Sequence, residues 1–130
     1  MSRERIKTPD WRSRATFEAY QTEIANGHLE HGCRLCEEVS LAEYTHWRLI
    51  TNRFPYDRVA DVHHQLIPKR HTNGEDLTEE EERELKELKR SVLNQLDYNY
   101  IMQSLPKQMS IPAHLHYHLL KVKTFADVDE

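Results

Sequence analysis

The sequence predicts an α+β domain, an antiparallel sheet with a major helix between strand pairs and a second helix near the N-terminus. Three observations carry that reading. Aromatic and β-branched runs at 44–51 and 59–67 have strand composition. A long amphipathic stretch opens at Thr78 with a helix-start signature. Two further strand-like runs, at 98–103 and 113–122, come after that helix.

Residues 1–12 are polar and read as an arm, leaving 13–130 as one domain. Phe17, Tyr20 and Ile24 fall at i, i+3 and i+7 and so define one face of a helix over 16–25. Thr16 is its expected cap and Asn26-Gly27 its stop. A short loop from His28 to Cys36 leads to the first strand, at 44–51, where Trp47 and Tyr44 suit core or edge packing and His46 the surface. A turn around Pro55 joins it to the second strand, which Pro68 ends. In the main helix, Thr78 and Glu81 fit a capping box, and the run of glutamates complements the positive end of the helix dipole. Leu85, Leu88, Val92 and Leu96 then mark its apolar face.

A chain of 130 residues holds one hydrophobic core without staples. Its net charge of −4 argues against a general nucleic-acid coat. No apolar run reaches the ~18–20 residues of a membrane span. The N-terminus is charged with no apolar h-region, so the expected location is cytoplasmic.

Nine histidines are present, and His114, His116 and His118 alternate with apolar residues. On a strand those three rings share one face, while Leu115, Tyr117 and Leu119 point to the core. Neighbouring rings on that face stand roughly 6.5–7 Å apart at Cα, so one phosphate can touch two of them. The plainer reading is a wet strand face. Cys33 and Cys36 form the one C-x-x-C pair. That spacing suits two thiolates on a tetrahedral metal, with a redox pair or two free thiols as the alternatives. It leaves the other two ligands open.

The peptide His114-Leu-His-Tyr-His-Leu-Leu120 resembles the signature of the histidine triad superfamily of nucleotide hydrolases and transferases. Asn52-Arg-Phe-Pro-Tyr56, His63-His-Gln-Leu-Ile-Pro-Lys-Arg-His71 and Leu77-Thr-Glu-Glu80 resemble further family blocks in their usual order. Together they span about residues 33 to 122. The resemblance implies that His116 attacks the α-phosphorus of a purine nucleotide to form a covalent nucleotidyl-histidine, and that His118 steadies the phosphate or assists the leaving group. It places His63 beside the nucleotide, and Gln108 and Ser110 near the phosphate. Asn52 falls on the ribose, or simply begins the Pro55 turn. Dinucleoside polyphosphates and nucleoside phosphoramidates are the implied substrates, and a homodimer the implied assembly.

In the branch with C-x-x-C, the resemblance implies a structural zinc held by Cys33, Cys36, His71 and His114. His28, His31 or His64 is the alternative to His71 as fourth ligand. The chain departs from the family between Gln103 and Ala113, which holds no glycine. The competing expectation is therefore a nucleotide-binding or interaction module with the fold and the zinc but little turnover.

Overall fold

The computed structural model describes residues 11–27, 32–109 and 111–124. Residues 1–10 of the expected arm, the alternative ligands His28 and His31, and Ser110 lie outside the described residues. In chain order the elements are α1 (Arg14–Ala25), α2 (Arg34–Glu37), β1 (Ser40–Glu43), β2 (Trp47–Thr51), β3 (Ala60–Pro68), α3 (Glu79–Glu87), β4 (Tyr100–Met102) and β5 (Tyr117–Val122). The strands form a five-stranded sheet in the order β1-β2-β3-β5-β4, and every pairing is antiparallel. The α+β expectation holds. Among the described residues, no helix is long and apolar enough to cross a membrane.

Three strands, not two, precede the major helix. The extra strand is β1, a short edge with one side half-buried and a bulge between Ser40 and Ala42. Ser-Leu-Ala-Glu is too short to show a period and has no β-branched residue, so its strand state comes from pairing with β2. Helix α1 begins a turn before the expected Thr16. Ser13 is the cap, accepting the Thr16 N–H at 3.2 Å, because Asp57 anchors Ser13 through its N–H at 2.7 Å and its hydroxyl at 3.1 Å. Asn26-Gly27 does end the helix, with Gly27 at φ 87°.

Helix α3 starts with the expected reciprocal cap between Thr78 and Glu81. Beyond Glu87 one turn widens to π type, and the Leu93 N–H reaches Leu88 O, five residues back. The inserted residue rotates the last turn of the helix, so Leu93 is buried and Leu96 is left exposed. Of the face read as Leu85, Leu88, Val92 and Leu96, the first three pack on the core, Val92 partly buried, and Leu93 takes the place of Leu96.

These leucines pack on one side of the sheet with Trp47, Leu49, Leu66, Leu115 and Leu119. The opposite side carries a smaller cluster of Leu35, Ile50 and Ile67, against which Cys33 and Ile111 pack. Regular pairing of β5 begins only at Tyr117. Ahead of it, the Leu115 N–H donates to Thr72 O at 2.7 Å. The expected alternation survives, since Leu115, Tyr117 and Leu119 join the α3 core. His114, His116 and His118 are 1 %, 6 % and 4 % exposed, so the wet-face reading fails.

Glu81 joins several elements at the α3 start. Arg70 Nη2 donates to its Oε1 at 2.9 Å and Arg70 Nε to its Oε2 at 3.2 Å, while its carbonyl accepts the Trp47 indole N–H at 2.9 Å. The Arg70 hydrogen bonds lead the effects that hold its carboxyl below the usual range. A depressed carboxyl stabilises the fold at pH values above the unfolded group's titration and loses that contribution as acid carries the pH through the folded value. Glu81→Gln is expected to lower unfolding stability by about 1–3 kcal/mol near neutrality and to lessen the acid sensitivity. Urea melts at pH 7 and pH 4 check this; equal midpoints for variant and wild type at pH 7 would refute it.

Candidate metal centre and histidine pocket

On the smaller-cluster side of the sheet, four expected ligands converge. Donor atoms of Cys33, Cys36, His71 and His114 all lie within 4.8 Å of one another. His114 Nδ1 is 3.4 Å from Cys33 Sγ, 3.3 Å from Cys36 Sγ and 3.2 Å from His71 Nδ1, and His71 Nδ1 is 3.3 Å from Cys36 Sγ. Tetrahedral bonds of ~2.0–2.3 Å separate donors by roughly 3.3–3.8 Å, so the spacing suits one transition-metal ion. His64 is not part of the cluster; its Nδ1 lies 2.6 Å from the Tyr98 hydroxyl.

Proton placement agrees with a metal at this point. A carbonyl only accepts, so the 3.1 Å contact from His114 Nε2 to Pro68 O puts the His114 proton on Nε2. Its Nδ1 lone pair then faces the two sulfurs. Partial burial, then the hydrogen bond and charge of Cys33, push the Cys36 thiol up to about 11. Without a metal that sulfur keeps its proton, and a metal ion bound here would displace it.

The cysteine turn is held from β2, by a residue the sequence reading missed. Arg48 Nη1 donates to Glu38 O at 2.6 Å and Ser40 Oγ at 2.9 Å, and its Nη2 to Leu35 O at 2.9 Å and Cys36 O at 3.2 Å. Nothing in the local pattern around Arg48 marks this, because its acceptors are one hydroxyl and three backbone carbonyls at 35–40, brought near by the fold. The Cys36 N–H in turn donates to Cys33 Sγ at 3.4 Å.

His116 and His118 line a neighbouring cleft together with Asn52 and Gln108, the expected nucleotide contacts. The His116 Nδ1–H donates to His114 O at 2.9 Å. Burial lowers the His116 pKa, so the ring is neutral and its lone pair resides on Nε2. The proton of His118 is placed by a chain of three groups. The Tyr56 amide can only donate, so His63 Nδ1, at 3.0 Å, accepts. Neutral His63 therefore carries its proton on Nε2 and donates it to His118 Nδ1 at 2.8 Å. His118 is left with its proton on Nε2.

Burial, with the neighbouring His118 charge next, drives the His63 pKa to about 2. Burial, followed by His116, drives that of His118 to about 3. The cleft thus holds a bare imidazole nitrogen on His116 beside an N–H donor on His118, with ring centroids 5.4 Å apart. His63 is the organiser of this pair. Asn52 serves its turn, its Oδ1 accepting the Phe54 N–H at 2.8 Å. Its Nδ2 stands 3.3 Å from His63 Nε2, a longer contact than the His118 one that sets the proton's direction. Gln108 ends a short 3₁₀ turn, Pro106–Gln108.

Purified protein is expected to carry about one equivalent of transition metal per chain by elemental analysis. Cys36→Ser should lose it and melt at a lower temperature. Arg48→Met, which leaves all four donors in place, should weaken metal retention against a chelator by ~10–100-fold. Metal-free wild type that is fully folded, with Cys36→Ser equally stable, would eliminate the centre.

No family model matches the chain, and no curated protein matches it. Among solved structures it is similar to a hypothetical protein from Leishmania major, at 20 % sequence identity and a TM-score of 0.55. The match covers 72 % of this chain and 74 % of that one. At that identity the likeness is one of fold.

Proposed function

We propose that this chain is a nucleotide hydrolase or nucleotidyltransferase of the histidine triad type, acting at the α-phosphate through a covalent nucleotidyl-histidine on His116. The observation that carries this reading is the tautomer pair. His116 offers a lone pair on Nε2, while His118 offers a hydrogen on Nε2, at one cleft wall. A neutral imidazole held by a backbone acceptor is a competent nucleophile that needs no deprotonation.

In the first step, His116 Nε2 forms a bond to the phosphorus while the bond from phosphorus to the leaving group breaks, its electron pair departing with that group. The His118 N–H stabilises the departing or equatorial oxygen. Water then attacks the phosphorus, the P–N bond breaks, and His116 returns to its starting tautomer as the nucleoside monophosphate leaves. An alternative acceptor gives transfer instead of hydrolysis. Asn52 and Gln108 serve as ribose and phosphate contacts from the cleft wall in this reading.

The donor set S₂N₂ fits zinc. Cys33, Cys36, His71 and His114 would hold it, and four protein ligands leave no open position, so its contribution is to structure. Among these ligands, His114 supplies the carbonyl that orients His116. In this reading the chain meets a purine nucleotide as substrate, and a second copy of itself as partner.

Brief exposure to adenosine phosphoramidate or diadenosine tetraphosphate, read by intact-protein mass spectrometry, tests the mechanism. The wild type should gain the mass of one nucleotidyl group, and His116→Ala should gain none. His118→Ala should slow turnover by ~10²–10⁴-fold. An adduct of equal yield on His116→Ala excludes this nucleophile. Nucleotide binding with neither adduct nor product favours the binding-module reading, to which the glycine-free segment before the triad points.

A further inference from the structure

The last two residues of the expected polar arm, residues 1–12, belong to the domain. Trp11 and Arg12 pack on the domain: the Arg58 N–H donates to Trp11 O at 2.9 Å, and the Trp11 ring meets Tyr56 edge-on with centroids 5.1 Å apart. Next to them Asp57 binds Ser13 and accepts the Thr16 hydroxyl at 2.6 Å. The first turn of α1 is thereby docked over the loop between β2 and β3.

Arg12 is placed with unusual care for a residue in a polar segment. Its Nε–H donates to Phe54 O at 2.7 Å. Its guanidinium carbon lies 4.3 Å from the Tyr20 ring centroid and 4.9 Å from that of Tyr56. Tyr56 in turn stacks on His118 with centroids 5.4 Å apart. Arg12 lines the same cleft as His116 and His118, and its charge lowers the pKa of both His63 and His118.

The other two arginines of that cleft already have carboxylates. Arg34 pairs with Glu37 at 3.1 Å and Arg53 with Glu38 at 3.4 Å. Among the described residues Arg12 has no ion pair, and its two terminal nitrogens have no acceptor. A guanidinium fixed through Nε and two ring faces, with its outer fork unused, is pre-organised for a bidentate anion.

We propose that Arg12 is a specificity residue of the histidine cleft, its guanidinium binding phosphate oxygens of a nucleoside di- or polyphosphate beyond the reacting phosphorus. The assignment rests on the proposed reading of the cleft for its reaction, and on the Arg12 environment for its ligand. It makes a phosphate-chain leaving group the preferred one over an amine. The segment that leads into helix α1 then belongs to the substrate site, and the docked first turn of the helix holds it there.

The experiment has two arms. In the first, inorganic tripolyphosphate is titrated calorimetrically into wild type, Arg12→Met and Arg12→Lys. Wild type should bind, Arg12→Met should bind about 10- to 100-fold more weakly, and Arg12→Lys should fall between them. In the second, kcat/KM is compared for diadenosine tetraphosphate and adenosine phosphoramidate. Arg12→Met should lose about 10- to 100-fold on the first substrate and several-fold less on the second; equal losses on both would mark a structural role and overturn the assignment.

Equal tripolyphosphate affinity for Arg12→Met and wild type would also overturn it, even with the His116 adduct in hand. If no adduct forms yet tripolyphosphate binding depends on Arg12, the nucleotidyl-transfer reading falls and the anion site stands. Asp57→Asn, which loosens α1 without touching the arginine, should reproduce part of the Arg12→Met defect.

Discussion

One histidine ties the two halves of the site together. His114 uses every polar group it has: Nε2 donates to Pro68 O, Nδ1 faces both sulfurs, and its carbonyl accepts the His116 Nδ1–H. Any movement of the cysteine turn relative to the end of β3 therefore reaches the His116 ring through one short stretch of backbone. With the ring flipped, a lone pair would oppose the carbonyl and the reactive nitrogen would carry the hydrogen. The cluster and the cleft are thus a single polar structure on one side of the sheet, exposed at Cys36 and His71 and buried at His114, His116 and His118. Burial makes such an arrangement strict, because each unpaired ring nitrogen there would lose its water without gaining a partner.

The other side of the sheet supplies the rigidity. Trp47 is fully buried and its indole N–H is taken by Glu81 O, so β2 is fixed to the α3 start. Glu81 binds Arg70, which neighbours His71, so the same carboxylate also limits where a cluster ligand can stand. Leu115 and Leu119 bracket His116 and His118 in sequence and anchor in the leucine core. Gly74 lets that packing close, since a Cβ there would come within 3.1 Å of Leu115 and its φ of 96° disfavours a side chain. The histidines are held from behind by apolar packing and from the front by each other.

Legibility in the sequence depended on the range of each signal. The α3 cap was legible because Thr78 and Glu81 interact three residues apart. The cysteine pair and the histidine alternation carry their own spacing, and the set of Cys33, Cys36, His71 and His114 was implied by the resemblance to the C-x-x-C branch of the histidine triad superfamily. Strand β1 was not legible, since its four residues obtain their conformation from β2. The π turn after Glu87 was not either, because a single inserted residue leaves the leucine spacing looking regular. Arg48 and Arg12 lay beyond local pattern altogether: both act on backbone carbonyls or rings brought near by tertiary structure. The proton direction through Tyr56, His63 and His118 needs an amide, two rings and a strand register that places Gln65 opposite His118.

Charge balance inside the cleft has a consequence for an anion arriving there. Burial comes first and a neighbouring imidazole second in keeping His63 and His118 neutral, His118 acting on His63 and His116 on His118, and Arg12 adds to the same effect. The unpaired positive charge at the cleft, among the described residues, is then Arg12, in a chain whose net charge is −4. Attraction for a phosphate has to be local, because the long-range field of an acidic chain opposes it. Once a phosphate is bound, its negative charge compensates Arg12 and acts on the rings in the opposite sense, favouring their protonated forms. In the proposed reaction, His118 then reaches its proton-carrying imidazolium form with the substrate in place. The guanidinium that adds to burial in keeping His63 and His118 neutral thereby makes their protonation depend on what the cleft binds.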